Sequence, residues 1–244
     1  MKRFVRFLIV LVATLSCLPP VSALAFEAEG DVYAGIYDKY LWRGFDLSGG
    51  LPVAQGGVDV AIGGFTVSYW SNMQLKNDAG EGLPAGEVNE TDLTLDYSFE
   101  PGDLVSVSVG NIFYALDGLE DTSELYAGVS FDVIASPSLT AYYDWDKAEK
   151  KGLFFVFAVS HCFEPVKGLS VTPGLAISWN EESDYAIGSY SDWHNYEASL
   201  GIDYAITDAI GISASYLFSE GISDEARQVI DSESAAGLSV SLSF

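Results

Sequence analysis

The final eleven residues, Ser234-Ala-Ala-Gly-Leu-Ser-Val-Ser-Leu-Ser-Phe244, alternate with strict period two. Ala236, Leu238, Val240, Leu242 and Phe244 share one face, and Gly237, Ser239, Ser241 and Ser243 share the other. Successive side chains of a strand point to opposite sides, so this is a strand with one apolar and one wet face.

The same alternation recurs upstream, giving about twelve predicted strands. The first runs from Asp31 to Trp42, the seventh from Leu139 to Asp146, the eighth from Leu153 to Phe163, the tenth from Trp193 to Tyr204. Each has roughly the 9–11 residues a tilted strand needs to cross a bilayer. The gaps between them alternate in length. Short ones, Gly63-Gly64, Glu100–Asp103, Ile134–Pro137, Glu164–Gly168 and Thr207-Asp208, carry Gly, Pro and Asp turn chemistry. Longer acidic ones cover 43–52, 74–90, 115–123, 147–152, 180–192 and 219–233. Short periplasmic turns opposite long extracellular loops are the rule of an all-β, transmembrane, antiparallel up-and-down barrel, and a soluble sandwich has no such rule. Aromatics at predicted strand ends, among them Tyr40, Trp42, Trp70, Trp145, Trp179 and Trp193, suit the two interfacial girdles. Phe244 ends the closing strand and is expected to serve as the signal for the outer-membrane barrel-assembly machinery.

Residues 1–25 look like an export signal: basic Lys2, Arg3 and Arg6, an apolar run from Phe7 to Leu18, then Ala23-Leu-Ala25. Cys17 is preceded by Thr14-Leu-Ser16, a poor match to a lipid-attachment site. Residues 26–244 would form one barrel domain in the bacterial outer membrane, among outer-membrane lipid and lipopolysaccharide. The formal charge is −24, and removing the three basic residues of the leader, which has no acids, takes it to −27. Such a surface repels nucleic acid. The mature chain keeps one cysteine, Cys162, and two histidines, His161 and His194. It can therefore form no intrachain disulfide and no histidine–cysteine zinc cluster.

Tyr40-Leu-Trp-Arg-Gly-Phe-Asp-Leu-Ser-Gly-Gly-Leu-Pro-Val-Ala-Gln-Gly-Gly-Val-Asp59, followed by Gly64-Phe65, Trp70-Ser-Asn72, Glu90-Thr-Asp92 and Glu124-Leu-Tyr-Ala-Gly128, resembles the TorF-type porins, an outer-membrane family. The match covers roughly residues 36–130. Val60 stands where the family has an aromatic, and Tyr114-Ala-Leu lacks its usual proline. The resemblance implies a porin-like channel and supplies no substrate.

The predicted lumen face carries Lys39, Asp59, Asp92, Asp96, Glu124, Asp132, Asp144, Asp146, Glu197 and Asp203. Facing carboxylates in a narrow pore favour cations, although any barrel interior is polar. Arg43, at the outer end of the first predicted strand, has two options. It can turn inward to pair with Asp59 or Glu124, or snorkel toward lipopolysaccharide phosphate. The loop acids, including Asp78, Glu81, Glu90, Glu181, Glu182, Asp184, Asp224 and Glu225, lack the ligand spacing of a calcium loop. Lys147, Lys150 and Lys151 form a basic cluster placed to meet them. Neither histidine has a nucleophile and an orienting group beside it, so both are expected in the girdles and no enzyme or cofactor is expected. The eighth predicted strand departs from the pattern. Phe154, Val156, Ala158 and Cys162 make its second face apolar, either as a greasy track or as packing for an inturned loop.

The expected function is passive diffusion of small solutes or ions, with Arg43, Asp59, Asp92, Asp96, Glu124, Asp144, Glu197 and Asp203 as selectivity candidates. The alternative is a non-conducting structural or adhesive barrel that binds a partner through its acidic loops.

Overall fold

The computed structural model describes residues 28–77 and 84–244. The expected leader, Phe26, Asp78 and Glu81 lie outside the described residues. The elements in chain order are β1 (Ala28–Tyr37), β2 (Leu41–Trp42), β3 (Phe45–Asp46), β4 (Val53–Ile62), β5 (Phe65–Gln74), β6 (Val88–Phe99), β7 (Val105–Leu116), β8 (Thr122–Phe131), β9 (Ser138–Asp144), β10 (Leu153–Ser160), β11 (Phe163–Val166), β12 (Leu169–Glu181), β13 (Ser191–Ala205), β14 (Ile210–Gly221) and β15 (Glu233–Ser243). One 3₁₀ turn, Ala226–Gln228, lies in the β14–β15 loop.

All wall strands run antiparallel to their neighbours. The ladder continues β4 through β10, and β10 pairs with β12, which leads through β13 and β14 to β15. β10 and β11 both pair with β12 and are two pieces of one wall strand, which makes twelve. Closure falls on β1. Ala34 stands opposite Gly56 of β4 on one edge and Val240 of β15 on the other. Phe244 extends the seam by exchanging two 2.9 Å backbone hydrogen bonds with Gly30. Among the described residues, the wall is left with no edge to present unpaired backbone groups.

The apolar faces point away from the barrel. Phe65, Leu95, Leu175 and Leu238 are among the exposed large side chains of the outer wall, in keeping with a lipid-facing band. The wet faces point in. Near the short turns the lumen is lined by small hydroxyl residues, with Ser98, Ser106, Ser108, Ser130, Ser138 and Thr140 bounding a cavity of about 320 Å³.

Inside the lumen, three tyrosines each cover the glycine directly across the ladder. Tyr33 covers Gly57, Tyr37 covers Gly237 and Tyr126 covers Gly110. A Cβ at any of these glycines would overlap the ring, so the pairs hold both register and wall packing.

Several strand ends differ from the sequence expectation. The first wall strand stops at Tyr37, and the chain bends at Asp38 and Lys39 into the barrel. Tyr40 and Trp42 therefore sit in the mouth of the lumen, not in a girdle, and Trp70 faces Tyr40 there with ring centroids 5.4 Å apart. β9 ends at Asp144, which leaves Asp146 exposed in the following loop. Asp132 lies past the end of β8, at the rim, where its N–H donates to the Leu104 carbonyl. The eighth predicted strand breaks at His161-Cys162, both exposed, where the His161 N–H turns to the Pro173 carbonyl.

Gly237→Val should overpack against Tyr37 and cost about 1–3 kcal/mol. The expected readout is a lower unfolding midpoint in heat-modifiable electrophoretic mobility. Deleting Phe244 removes both seam hydrogen bonds and should reduce the amount of assembled barrel. Quantified membrane fractions check this, and wild-type levels would remove Phe244 from any assembly role.

Candidate functional site

The segment between β1 and β4 folds into the long-loop end of the barrel. Its tip is a two-residue turn, Trp42-Arg43-Gly44-Phe45, that joins β2 to β3. Arg43 has φ 49° and Gly44 φ 85°, so both central residues are left-handed, as in a type I′ hairpin. Glycine takes this conformation freely, whereas for arginine it costs on the order of 1–2 kcal/mol. The turn is held from behind. The Leu47 N–H donates to the Tyr40 carbonyl at 2.8 Å, and Ser48 Oγ accepts the Tyr40 N–H at 2.9 Å. Asp46 accepts from the Ser48 N–H, Ser48 Oγ and Gly50 N–H, and Gln74 Nε2 donates to the Ser48 carbonyl.

The offset for the strain is in what Arg43 reaches. Its guanidinium forks onto Glu124 of β8, Nη1 to Oε1 at 2.8 Å and Nη2 to Oε2 at 2.7 Å. Glu124 also accepts from Tyr114 Oη at 2.9 Å. The guanidinium carbon lies 4.4 Å from the Trp42 ring centroid, 4.7 Å from Tyr142 and 4.5 Å from Phe154. Burial works against the Arg43 charge, but the Glu124 carboxylate outweighs it, and the group titrates above its ordinary value. It stays cationic at any accessible pH.

The backbone of Arg43 is held as well. Its carbonyl accepts from His194 Nε2 at 2.8 Å, which leaves Nδ1 to accept from Tyr190 Oη. His194 is fully buried between Phe45 and Phe154, with ring centroids 5.8 and 5.6 Å away. This corrects the girdle expectation for His194. It also settles the second apolar face of the eighth strand at Phe154, which is packing for the inturned hairpin. Ile230 from the β14–β15 loop and Ile187 from the β12–β13 loop are buried too, and Ile230 approaches Gly44.

The other sequence-derived candidates fall at different depths. Asp92 and Glu197 face the lumen near the hairpin. Asp92 Oδ1 is buried without a hydrogen-bond partner among the described residues, and Glu197 accepts from Asn195 Nδ2 at 3.0 Å. Asp144 is buried but caps a turn, with Oδ1 accepting from the Asp146 and Lys147 N–H groups and from Thr122 Oγ1. Asp96, Asp59 and Asp203 lie toward the short turns. Asp96 accepts from Ser98 and Tyr126, Asp203 accepts from Ser213 Oγ, and Asp59 stands across the ladder from Asp31. Asp59 is thus remote from Arg43, and Glu124 is its partner. Lys39 pairs with Glu233.

Sequence reasoning placed Glu90 among the loop acids. It lies instead in β6, 8% exposed, with Tyr40 Oη donating to it at 3.3 Å. At the rim, Lys147 meets Glu120 at 3.6 Å, and Lys151 meets Glu181 and Glu182. Exposed pairs of this kind contribute about 0–1 kcal/mol each.

No family model matches the chain. No curated protein matches it either. Solved structures do. The NanC porin superposes with a TM-score of 0.55 at 15% identity, over 87% of this chain and 98% of that one. The KdgM porin gives 0.56 at 11%, over 88% and 99%, and has also been solved in complex with disordered oligogalacturonate. The COG4313 outer membrane channel from Pseudomonas putida F1 gives 0.55 at 10%, over 93% and 100%. At such identities the likeness is one of fold.

Removing one member of the buried pair leaves the other uncompensated. Glu124→Gln should therefore loosen the hairpin by about 3–5 kcal/mol, and Arg43→Ala with Glu124→Ala should cost less than the sum of the single changes. Amide hydrogen exchange across residues 40–48 measures this, and strict additivity would show that the pair does not hold the turn.

Proposed function

We propose that this chain is a porin-like channel of the bacterial outer membrane, through which small solutes and ions diffuse, with a preference for cations. The observation that carries the reading is the lumen of the closed barrel, acidic along its length and narrowed at one end by a pinned hairpin. Arg43 is engaged by Glu124 and Lys39 by Glu233. Asp59, Asp92, Asp96, Glu197 and Asp203 have no such partner among the described residues. The potential along the wall is therefore negative, and a low-dielectric barrel focuses it.

Transit on this reading involves no covalent step. A cation drawn past the hairpin exchanges water for carboxylate and hydroxyl oxygens and leaves through the serine-lined end. His194 is enclosed and both its ring nitrogens are engaged, so it is not free to act as a base. An acidic wall also disfavours a polycarboxylate such as the oligogalacturonate bound to KdgM. The likeness to porin folds and the alternation of short turns with long loops support the outer membrane as its place, with the long loops outside.

A second reading, a non-conducting barrel, is favoured by the packing of the long-loop end around Phe154, His194 and Ile230. Liposome swelling separates the two, since a sealed barrel admits no solute.

In planar bilayers under a salt gradient, the reversal potential should show cation preference. Asp59→Asn, Asp96→Asn and Asp203→Asn combined should shift it toward zero. Arg43→Ala should raise single-channel conductance, roughly twofold or more, by freeing the hairpin from the wall. Anion preference in the unmodified protein, or identical currents in the variants, would overturn the assignment of these residues.

A further inference from the structure

The cleft on the long-loop side of the hairpin differs chemically from the rest of the lumen. It encloses about 280 Å³ between the hairpin, the long-loop ends of β6, β7 and β8, and Tyr185 of the β12–β13 loop. Its wall is mostly apolar, with Tyr40, Trp42, Leu47, Tyr114 and Tyr185 supplying rings and aliphatic carbon. Two buried acids stand in that wall. Glu124 is already engaged by Arg43 and Tyr114. Glu90 is not. It is 8% exposed, and among the described residues it has no ion-pair partner and one long hydrogen bond, 3.3 Å from Tyr40 Oη.

None of the described residues lining the cleft is basic. A buried carboxylate without a counter-charge is expensive, and aromatic faces attract cations. A ligand that satisfies both is a cation carrying an apolar body. The volume lies just under the ~300 Å³ at which ordinary ligand pockets begin, so the occupant is small, on the scale of a single ring with a short chain.

We infer that this cleft binds small organic ammonium compounds, with the ammonium on Glu90 and the apolar body against Tyr40, Trp42 and Tyr185. The inference deepens the channel reading by naming a solute class at the mouth. It rests on that reading only for what happens after binding, because binding itself needs no flux.

The test is calorimetric titration of the refolded full chain in detergent, at mildly alkaline pH, with 2-phenylethylammonium. Neutral 2-phenylethanol and anionic 3-phenylpropionate control for partition into micelles. The amine should bind saturably and roughly tenfold or more tighter than either control. Glu90→Gln should weaken it by a similar factor. Leu47→Trp, which fills the cleft from a loop position, should also weaken it. Heat-modifiable mobility confirms that each variant is folded. Equal affinities for the three compounds overturn the inference, as does a folded Glu90→Gln that binds the amine unchanged. If Glu90→Gln does not fold, undiminished binding in Leu47→Trp overturns it. A barrel that conducts without binding the amine removes the inference and keeps the channel, and one that binds without conducting does the reverse.

Discussion

The constraint on which everything else depends is the completion of the backbone ladder. In hydrocarbon, an N–H or carbonyl without a partner costs several kcal/mol, so a wall of strands is admissible only when it has no edge. Here β1 provides that, with β4 on one side and β15 on the other, and the seam runs out to the paired backbones of Gly30 and Phe244. Closure fixes which face is inside. Because side chains alternate, it hands every other residue to the lumen and leaves the apolar set outside. The lumen tyrosines over Gly57, Gly110 and Gly237 fit against open backbone, and for Tyr126 and Tyr37 a one-residue slip in either direction would bring the ring against a side chain.

Enclosing a lumen creates the second problem, which is what fills it. The short-turn half is lined by small hydroxyl residues and carries Asp59, Asp96 and Asp203, while the long-loop half is occupied by the chain's own hairpin. That hairpin has no sheet partner in the wall. Its stability comes from side chains: the guanidinium fork on Glu124, three aromatic rings around it, and a histidine on the carbonyl of the same arginine. Two strands of two residues each would not persist alone. The left-handed arginine is tolerable because both ends of the residue are over-determined.

Much of the wall was legible in the sequence because it rests on period and spacing. Twelve alternating runs and two classes of gap are local signals, and the lumen or lipid assignment of Asp59, Asp96, Asp203 and the closing strand follows from parity alone. The interior was less legible. Asp31 to Trp42 keeps an alternating pattern past the point where the chain leaves the wall, so Tyr40 and Trp42 read as girdle residues. Arginine is not a turn residue, and nothing local announces φ 49° at Arg43. His194 finds its partner 151 residues away, and no spacing encodes that contact. Two signals did point inward. One was the second apolar face of the eighth strand, where Phe154 awaited something to pack on. The other was the lone arginine before a glycine, facing a wall of acids.

The contacts of Arg43 also say how the two ends of the wall's arc are tied. Its side chain touches Glu124 on β8, Tyr142 on β9 and Phe154 on β10, and its carbonyl is held from β13. Those strands form one continuous arc of the wall, while the hairpin springs from the end of β1, outside that arc. The hairpin is therefore a chord across the lumen, a strut that fastens the first strand to the wall facing it.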